Sequence, residues 1–323
     1  MPKSNKPAPG GRSSLELILP ATSANLGPAF DAAALAFGLF LKIKAQPSAE
    51  FSIKASGREA EICGEIQNNL ILSTYREVLQ RERKPLTPLS LQIKNEIPIG
   101  KGCGSSAAAR LAGIALAVHF GELTWSDGRI IGEAARREHH PDNSSACWMG
   151  GLVVARMIRE NQAQIVRVEP KGTWPLLLAI PSESLSTEEA RRVLPAQYSK
   201  SDAIINVQNA MFLLAAFMQG RHELLGSALE DRIHQPYRAH LCPLLPALQQ
   251  AVGNDGILGV ALSGAGPSVL IFLDPKAISK SAIAGVTAHL KNHDLEAEVL
   301  ATEITPNGAS LGSDWKKKRP RQG

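Results

Sequence analysis

The chain has 323 residues, of which 44% are hydrophobic and 20% are charged, as expected for a globular protein with a sizeable core. Its formal net charge is +5, but the basic excess lies at the two ends, so the mildly acidic body is a poor surface for nucleic acid. The four cysteines form no C-x-x-C pair, which argues against a zinc site or a disulfide framework and favours a cytoplasmic location.

The two ends of the chain, residues 1–14 and 309–323, are predicted to be disordered basic tails. The first is rich in Pro, Gly, Ser and Lys and lacks the apolar core of a signal peptide. No apolar run approaches the ~18 residues that cross a bilayer, so we expect no membrane span. The run KKKRPR near the C-terminus leaves a contact with a polyanion open, beside the simpler interpretation of a solvated tail.

Between the tails, the first half of the chain alternates short apolar runs with segments of helical spacing. The predicted strands are 15–19, 36–46, 51–57, 89–99, 150–158 and 173–181. The predicted helices are 68–84, 105–120 and 126–140, the last of them stopped by Pro141. A Gly-rich turn separates the strand at 89–99 from the Ala-rich helix that follows it.

A new pattern begins near residue 181, with more helices in succession. Helices are predicted at 186–194, 202–219, 222–230 and 277–294, and strands at 257–263, 268–274 and 296–304. The mixed order without strict βαβ alternation favours an α+β fold. We therefore expect an N-terminal domain at 15–178 and a C-terminal domain at 179–308.

The most informative segment is PIGKGCGSSAAA, residues 98–109. Its three glycines allow backbone amides to approach a ligand, and the N–H groups at the start of the next helix face the same point. A Walker A loop is excluded because Gly102 follows Gly100-Lys101 where the motif needs Ser or Thr. The dinucleotide fingerprint is formally met, but no strand ending in an acid follows about 20 residues later. A phosphate site is therefore favoured over a dinucleotide-binding site and over a purely structural turn.

Three segments, in order, resemble the motifs of the GHMP kinases, and of the homoserine kinases among them. The loop resembles P-x-x-x-G-L-G-S-S-A-A, PATSANLGPAFD (20–31) resembles the first motif of the homoserine kinases, and LSGAGPSV (262–269) resembles the third GHMP motif. The chain departs from the family at Ala29, Cys103 and His139, where Gly, Leu and Gly are usual. The resemblance implies a ribosomal-protein-S5-like ATP-binding domain followed by a ferredoxin-like α/β-plait domain.

The resemblance also implies an activity, ATP-dependent phosphorylation of the L-homoserine hydroxyl, and the residues for it. Those expected to act in catalysis are Asn143, Arg191 and Arg238. Those expected to bind homoserine are Asn25, Asp31, His140, Thr187 and Gly266, with Asp31 facing the amine and the arginines facing the carboxylate. Those expected to bind ATP are Asn69, Pro98, Gly100, Lys101, Gly102, Cys103, Gly104, Ser105, Ser106 and Ala107.

Mg²⁺ is the expected metal, with Ser106 and Glu138 as its ligands by resemblance and Glu133 as a competitor. Asn cannot accept a proton, so Asn143 implies catalysis by positioning and charge stabilisation, unless Asp142 acts as a base. The alternatives are a GHMP kinase for another small alcohol, such as mevalonate or a sugar, and a non-catalytic binding protein. A specific nucleic-acid partner is not expected, and a homodimer remains one open assembly.

Overall fold

The structure of the protein, a computed structural model, describes residues 14–311. Most of the two predicted tails lies outside the described residues, but Ser310–Leu311 form a strand paired with the first strand, so the predicted start of the C-terminal tail at 309 was too early. Two β-sheets organise the part that is described, and the helices pack against them. Alternating apolar residues build most strands; β4, for example, buries Leu89, Leu91 and Ile93 and points the residues between them outward.

The first sheet has seven strands in the order β11-β1-β2-β4-β3, and β5 pairs with both β2 and β6. Only the β3–β4 pair is parallel among these strands. The strands of this sheet are β1 (Leu15–Ala24), β2 (Ala33–Pro47), β3 (Ser52–Gly57), β4 (Leu89–Asn95), β5 (Leu152–Arg159), β6 (Gln162–Val168) and β11 (Ser310–Leu311).

The second sheet is antiparallel, with the order β10-β7-β9-β8. Its strands are β7 (Pro175–Ile180), β8 (Ile257–Leu262), β9 (Val269–Leu273) and β10 (Glu298–Glu303). Because β7 already belongs to this sheet, the chain passes from one sheet to the other between Val168 and Pro175. The predicted boundary at 178 lies a few residues later, inside β7.

Eleven α-helices lie within residues 14–311, together with two short 3₁₀ turns at His222–Leu224 and Ala239–Leu241. They are α1 (Ala60–Gly64), α2 (Leu70–Arg81), α3 (Ser105–Phe120), α4 (Asp127–Glu138), α5 (Asp142–Met149), α6 (Thr187–Arg192), α7 (Lys200–Gln219), α8 (Leu225–Ala228), α9 (Gln235–Arg238), α10 (Leu244–Gln249) and α11 (Ser279–Lys291). The expected α+β class is confirmed.

The central helix α3 shows how the core positions the functional loop. Its small residues allow close packing, and eleven of its sixteen residues are buried between α2, α4 and β1. Gly113 has room for no side chain, because a Cβ there would lie 2.4 Å from the carbonyl oxygen of Ile71. This packing fixes the N-terminus of α3, which begins directly after the glycine loop.

Helix α7 is the one described helix that is long and apolar enough, by length and composition alone, to cross a membrane. One such helix is by itself weak evidence for a membrane span. One side of α7 packs on the protein through Leu213, Ala216 and Phe217, and it also buries the polar residue Asn206. Its outer side exposes Val207 and other apolar residues.

Candidate active site

A cavity of about 1060 Å³ opens where the glycine loop, the first motif and the C-terminal half of the chain meet. Residues far apart in sequence line it together. Of the predicted site residues, those that line it are Asn25, Asp31, Asn69, Gly100, Gly102, Gly104, Ser105, Ser106, Ala107, Glu138, His140, Asn143, Thr187, Arg191, Arg238 and Gly266. The remaining three, Pro98, Lys101 and Cys103, belong to the loop but do not line the cavity.

The three glycines of the loop adopt backbone conformations that other residues rarely adopt. Gly100, Gly102 and Gly104 all have positive φ, between 70° and 76°. A Cβ at Gly102 would lie 2.1 Å from the carbonyl oxygen of Ser263, and one at Gly104 would lie 1.9 Å from Thr22 Oγ1. Only glycine fits these positions. The loop ends at the first turn of α3, whose unpaired N–H groups and positive dipole end suit an anion.

Two side chains of the loop point away from the cavity and hold the loop in place. The Lys101 ammonium donates to the carbonyl oxygen of Ser182, which ties the loop to the segment after β7. Cys103 is fully buried, and burial raises the pKa of its thiol to about 12, so it packs as a small apolar residue. Any contact of these two residues with a nucleotide would therefore use the backbone.

Asn143 lies in the first turn of α5, beside the glycine loop. Its Oδ1 accepts a hydrogen bond of 2.7 Å from Thr22 Oγ1, in the first motif. This bond orients the side-chain amide, so Nδ2 remains to donate to a ligand in the cavity. The sequence singled out the motif around Thr22 but not Thr22 itself, because nothing in a sequence signals a contact across 121 residues.

The loop that follows β1 brings Asn25 and Asp31 to the cavity. Asn25 Nδ2 donates to the carbonyl oxygen of Gly264 at 2.7 Å, and Asn25 Oδ1 accepts from the backbone N–H of Asp31 at 3.0 Å. Both residues have positive φ, 71° and 54°, which is uncommon outside glycine and typical of functional loops. The third-motif glycine Gly266 lies on the same side of the cavity.

Arg191 pairs with Asp31 across the cavity. Its Nη2 lies 2.6 Å from Asp31 Oδ1, and both side chains are about one-third exposed. Arg191 Nε is buried without a hydrogen-bond partner among residues 14–311. A cation and an anion thus stand side by side with unused hydrogen-bonding capacity, as a zwitterionic ligand requires. Thr187 lines the cavity from the start of the same helix, α6.

Arg238 is the second predicted arginine, and it is 1% exposed. Its Nε donates to the carbonyl oxygen of Ala190 at 2.9 Å, and its Nη1 donates to His234 Nδ1 at 3.0 Å. Burial and the neighbouring charge of Arg191 lower the pKa of the guanidinium to about 10, which leaves it charged near neutral pH. The Cζ atoms of the two arginines lie 5.3 and 5.4 Å from the ring centroid of Phe30.

His140 forms a buried ion pair with Asp142. The two side chains approach to 2.5 Å between Nδ1 and Oδ1. Burial opposes the charged imidazolium, but the attraction of Asp142 is stronger and raises the pKa of His140 to about 9. Asp31, His140 and Asp142 lie close enough to share a cation. However, Asp31 is paired with Arg191 and Asp142 with a protonated His140, so these charges are already balanced.

The two acids considered for Mg²⁺ differ in position. Glu138 lines the cavity, is 9% exposed and interacts with the Ser106 hydroxyl and with Arg110. Burial raises the pKa of its carboxyl. Glu133 is fully buried away from the cavity and contacts three arginines. The oxygen donors of Ser106 and Glu138 fit Mg²⁺, whereas Glu133 already has its cations.

The structure also explains some remaining positions. Asn69 caps α2 by accepting from the N–H groups of Ile71 and Leu72, and its side chain lies at the cavity edge. His139 ends α4 with a φ of 68°, a left-handed position where the Gly usual in the family would fit without strain. The helix was predicted to continue to residue 140, before Pro141, but it ends two residues earlier, at Glu138.

Comparisons with known proteins agree with this arrangement. The chain matches the family described as "GHMP kinases N terminal domain" over residues 69–151 and the one described as "GHMP kinases C terminal" over residues 213–292. It is 41% identical over 297 residues to a homoserine kinase of Solibacter usitatus, covering 91% of this chain and 96% of that protein. It is 36% identical over 263 residues to a homoserine kinase of Synechococcus sp., covering 81% and 86%.

A solved structure gives the same fold. The crystal structure of homoserine kinase from Cytophaga hutchinsonii matches with a TM-score of 0.79 at 20% identity, covering 95% of this chain and 100% of that one. At this identity the match supports the fold alone, whereas the two relatives above show the family to which the chain belongs. The chain therefore belongs to the GHMP kinase family and, within it, to the homoserine kinases.

Proposed function

We propose that this protein transfers the γ-phosphoryl group of ATP to the side-chain hydroxyl of L-homoserine. The new bond joins the hydroxyl oxygen to the γ-phosphorus, and the bond from that phosphorus to the bridging oxygen breaks. The products are O-phospho-L-homoserine, ADP and the proton released from the hydroxyl. The four cysteines are all free, which suits the cytoplasm that we propose as the location.

The observation that carries the proposal is the pairing of Asp31 with Arg191 at 2.6 Å in the cavity of the glycine loop. L-Homoserine bears an ammonium and a carboxylate on one carbon. Its ammonium would take the Asp31 carboxylate, and its carboxylate would take Arg191 and Arg238. Mevalonate and sugars lack the ammonium, so they would gain no charged hydrogen bond from the Asp31 carboxylate, whose cationic partner would remain Arg191.

The nucleotide phosphates would lie along the glycine loop and the first turn of α3, against backbone N–H groups. Ser106 and Glu138 would hold Mg²⁺. When bound, Mg²⁺ supplies positive charge to the phosphate oxygens. The protein's own contribution is to orient the two substrates.

Asn143 directs the reacting hydroxyl in this proposal. Its Oδ1 is engaged by Thr22, so its Nδ2 can donate to the hydroxyl oxygen or to a phosphate oxygen. Asp142 is a poor base in this proposal because its charge is paired with His140 and its Oδ1 also accepts from the N–H of Asn143, although its Oδ2 has no hydrogen-bond partner among residues 14–311. The proton therefore leaves to phosphate or water, which suits the loose transition state of phosphoryl transfer.

ATP-dependent phosphorylation assayed with L-homoserine, mevalonate and galactose tests the proposal. We expect saturable turnover with L-homoserine and none above background with the other two. Turnover of mevalonate or galactose at a comparable rate would make this a kinase for another alcohol. Binding of ATP without turnover of any alcohol would make it a binding protein.

A further inference from the structure

His234 is a buried residue that the catalytic account above does not use. It lies in the turn before α9 and is 0% exposed. Its two ring nitrogens have different partners: Nδ1 contacts Arg238 Nη1 at 3.0 Å, and Nε2 contacts the carbonyl oxygen of Gly27 at 2.8 Å. The ring also stacks on Phe30, with centroids 5.1 Å apart. The imidazole therefore bridges an arginine of the C-terminal half and the loop after β1.

These contacts define the tautomer of the imidazole. A guanidinium can only donate, so Nδ1 must accept from Arg238 and the proton must lie on Nε2, where it is donated to Gly27. A protonated ring would direct an N–H at the Arg238 N–H. Burial favours the neutral form and lowers the pKa of His234 to about 4, so this tautomer persists near neutral pH.

The same loop has a second attachment to the C-terminal half. Asn206 Nδ2 donates to the carbonyl oxygen of Pro28 at 2.8 Å, and Asn206 Oδ1 accepts from the N–H of Arg232 at 3.0 Å. The loop between Asn25 and Asp31 thus contacts α7 and the turn before α9 through consecutive carbonyls. Only the His234 attachment also contacts Arg238.

The consequence concerns the separation between two charges. Asp31 is at the end of the loop that His234 holds, and Arg238 is oriented by the other nitrogen of the same ring. Arg238 has its Nε and Nη1 engaged, and its Nη2 makes no hydrogen bond with any residue of the described range 14–311. The ring therefore determines where that free donor lies relative to the Asp31 carboxylate.

On the basis of the proposed function, we propose that His234 is a positioning residue that aims Arg238 at the homoserine carboxylate and fixes its distance from Asp31. It touches no substrate in this role. Its two hydrogen bonds can be separated by substitution, because the side-chain oxygen of Asn overlays Nδ1 and the side-chain amide of Gln reaches the position of Nε2. His234→Asn keeps the acceptor for Arg238, and His234→Gln keeps the donor to Gly27.

The test measures inhibition constants for two fragments of homoserine that compete with it. 4-Hydroxybutyrate keeps the carboxylate and lacks the amine, and 3-aminopropan-1-ol keeps the amine and lacks the carboxylate. We expect His234→Gln to weaken binding of 4-hydroxybutyrate about tenfold, because a misplaced Arg238 loses its charged hydrogen bond to the carboxylate, and such a bond is worth about tenfold in affinity. Binding of 3-aminopropan-1-ol, which has no carboxylate, should weaken less than about twofold. His234→Asn should leave 4-hydroxybutyrate within about threefold of wild type.

Equal weakening of both fragments by His234→Gln, with ATP affinity retained, would mean a merely structural role and would overturn the proposal. So would unchanged binding of 4-hydroxybutyrate. If His234→Gln does not fold, His234→Asn still decides: a loss of 4-hydroxybutyrate binding well beyond threefold, with normal ATP binding, overturns it. The matched control Asn206→Ala removes the other loop attachment and should spare 4-hydroxybutyrate. Wild-type turnover of homoserine tests the proposed function separately.

Discussion

Thr22 and Asn143, 121 residues apart in sequence, are joined by a hydrogen bond of 2.7 Å next to the phosphate loop. In this bond the side-chain oxygen Oδ1 of Asn143 accepts from the Thr22 hydroxyl, which leaves the side-chain nitrogen Nδ2 to donate toward the reacting groups. This arrangement explains how a residue that cannot take a proton can still direct the hydroxyl.

Removing the Thr22 hydroxyl should therefore slow the reaction without weakening substrate binding. We expect Thr22→Val to lower kcat by about 10- to 100-fold, because a small misplacement of a reacting group has effects of that size. KM for homoserine and for ATP should change little. Thr22→Ser is the control, since it keeps the donor, and should retain most of the activity. Steady-state kinetics of both variants check this, and equal kcat for Val and wild type would contradict it.

Glu138 and Glu133 can be distinguished by their response to Mg²⁺. Glu138→Gln should raise the Mg²⁺ concentration for half-maximal activity by about tenfold or more, as expected for loss of a carboxylate ligand. Glu133→Gln should leave this concentration unchanged and destabilise the fold by about 3 kcal/mol, because three arginines would lose their shared anion. A shift in Mg²⁺ dependence for Glu133→Gln but not for Glu138→Gln would reverse the assignment.

Asp142 should matter for stability more than for chemistry. Asp142→Asn leaves a buried His140 without its anion and should reduce the free energy of unfolding by about 3 kcal/mol, measured by urea denaturation. Turnover in the folded fraction should stay within about tenfold of wild type, since the transition state asks little of a base. Loss of all turnover in a variant that still binds ATP and homoserine would identify Asp142 as the base.

Stability should also depend on pH through His234, which faces Asp231, Arg238 and Asp31. Its folded pKa of about 4 lies below its unfolded value near 6.5, so the unfolded chain binds the proton first as the pH falls. Between pH 6.5 and 5, the free energy of unfolding of wild type should fall relative to that of His234→Asn, which has no titratable group at this position. The free energy of unfolding of both proteins is measured by urea denaturation across this pH range. The same pH dependence in the two proteins would contradict a buried neutral His234.

Much of the fold could be predicted where apolar spacing is strong. The predicted helix at 105–120 matches α3 at both ends, because its apolar run is bounded by Gly104 and Gly121. Helix α5 was missed because DNSSACWM has no apolar periodicity; its serines are buried by neighbours on all sides. Strand β6 was missed because only Ala163 and Val168 of its seven residues are buried, so its alternation is weak.

The site divides in the same way. Motif residues such as Asp31 and Arg191 could be identified because short segments resemble known motifs, and the structure brings them to one cavity. Thr22 could not, since its hydrogen bond to Asn143 spans 121 residues, and the link from His234 to the Gly27 carbonyl oxygen spans 207, although Arg238 is only four residues from His234. Local sequence carries no signal for such pairs.

The central claim is that homoserine is held as a zwitterion beside Asp31 and Arg191, and the kinetics of Arg191→Ala test it most directly. The account predicts that KM for L-homoserine rises about 100-fold, as expected for loss of a charged anchor, while the dissociation constant for ATP stays unchanged. An Arg191→Ala enzyme that saturates with homoserine at the wild-type concentration would contradict it.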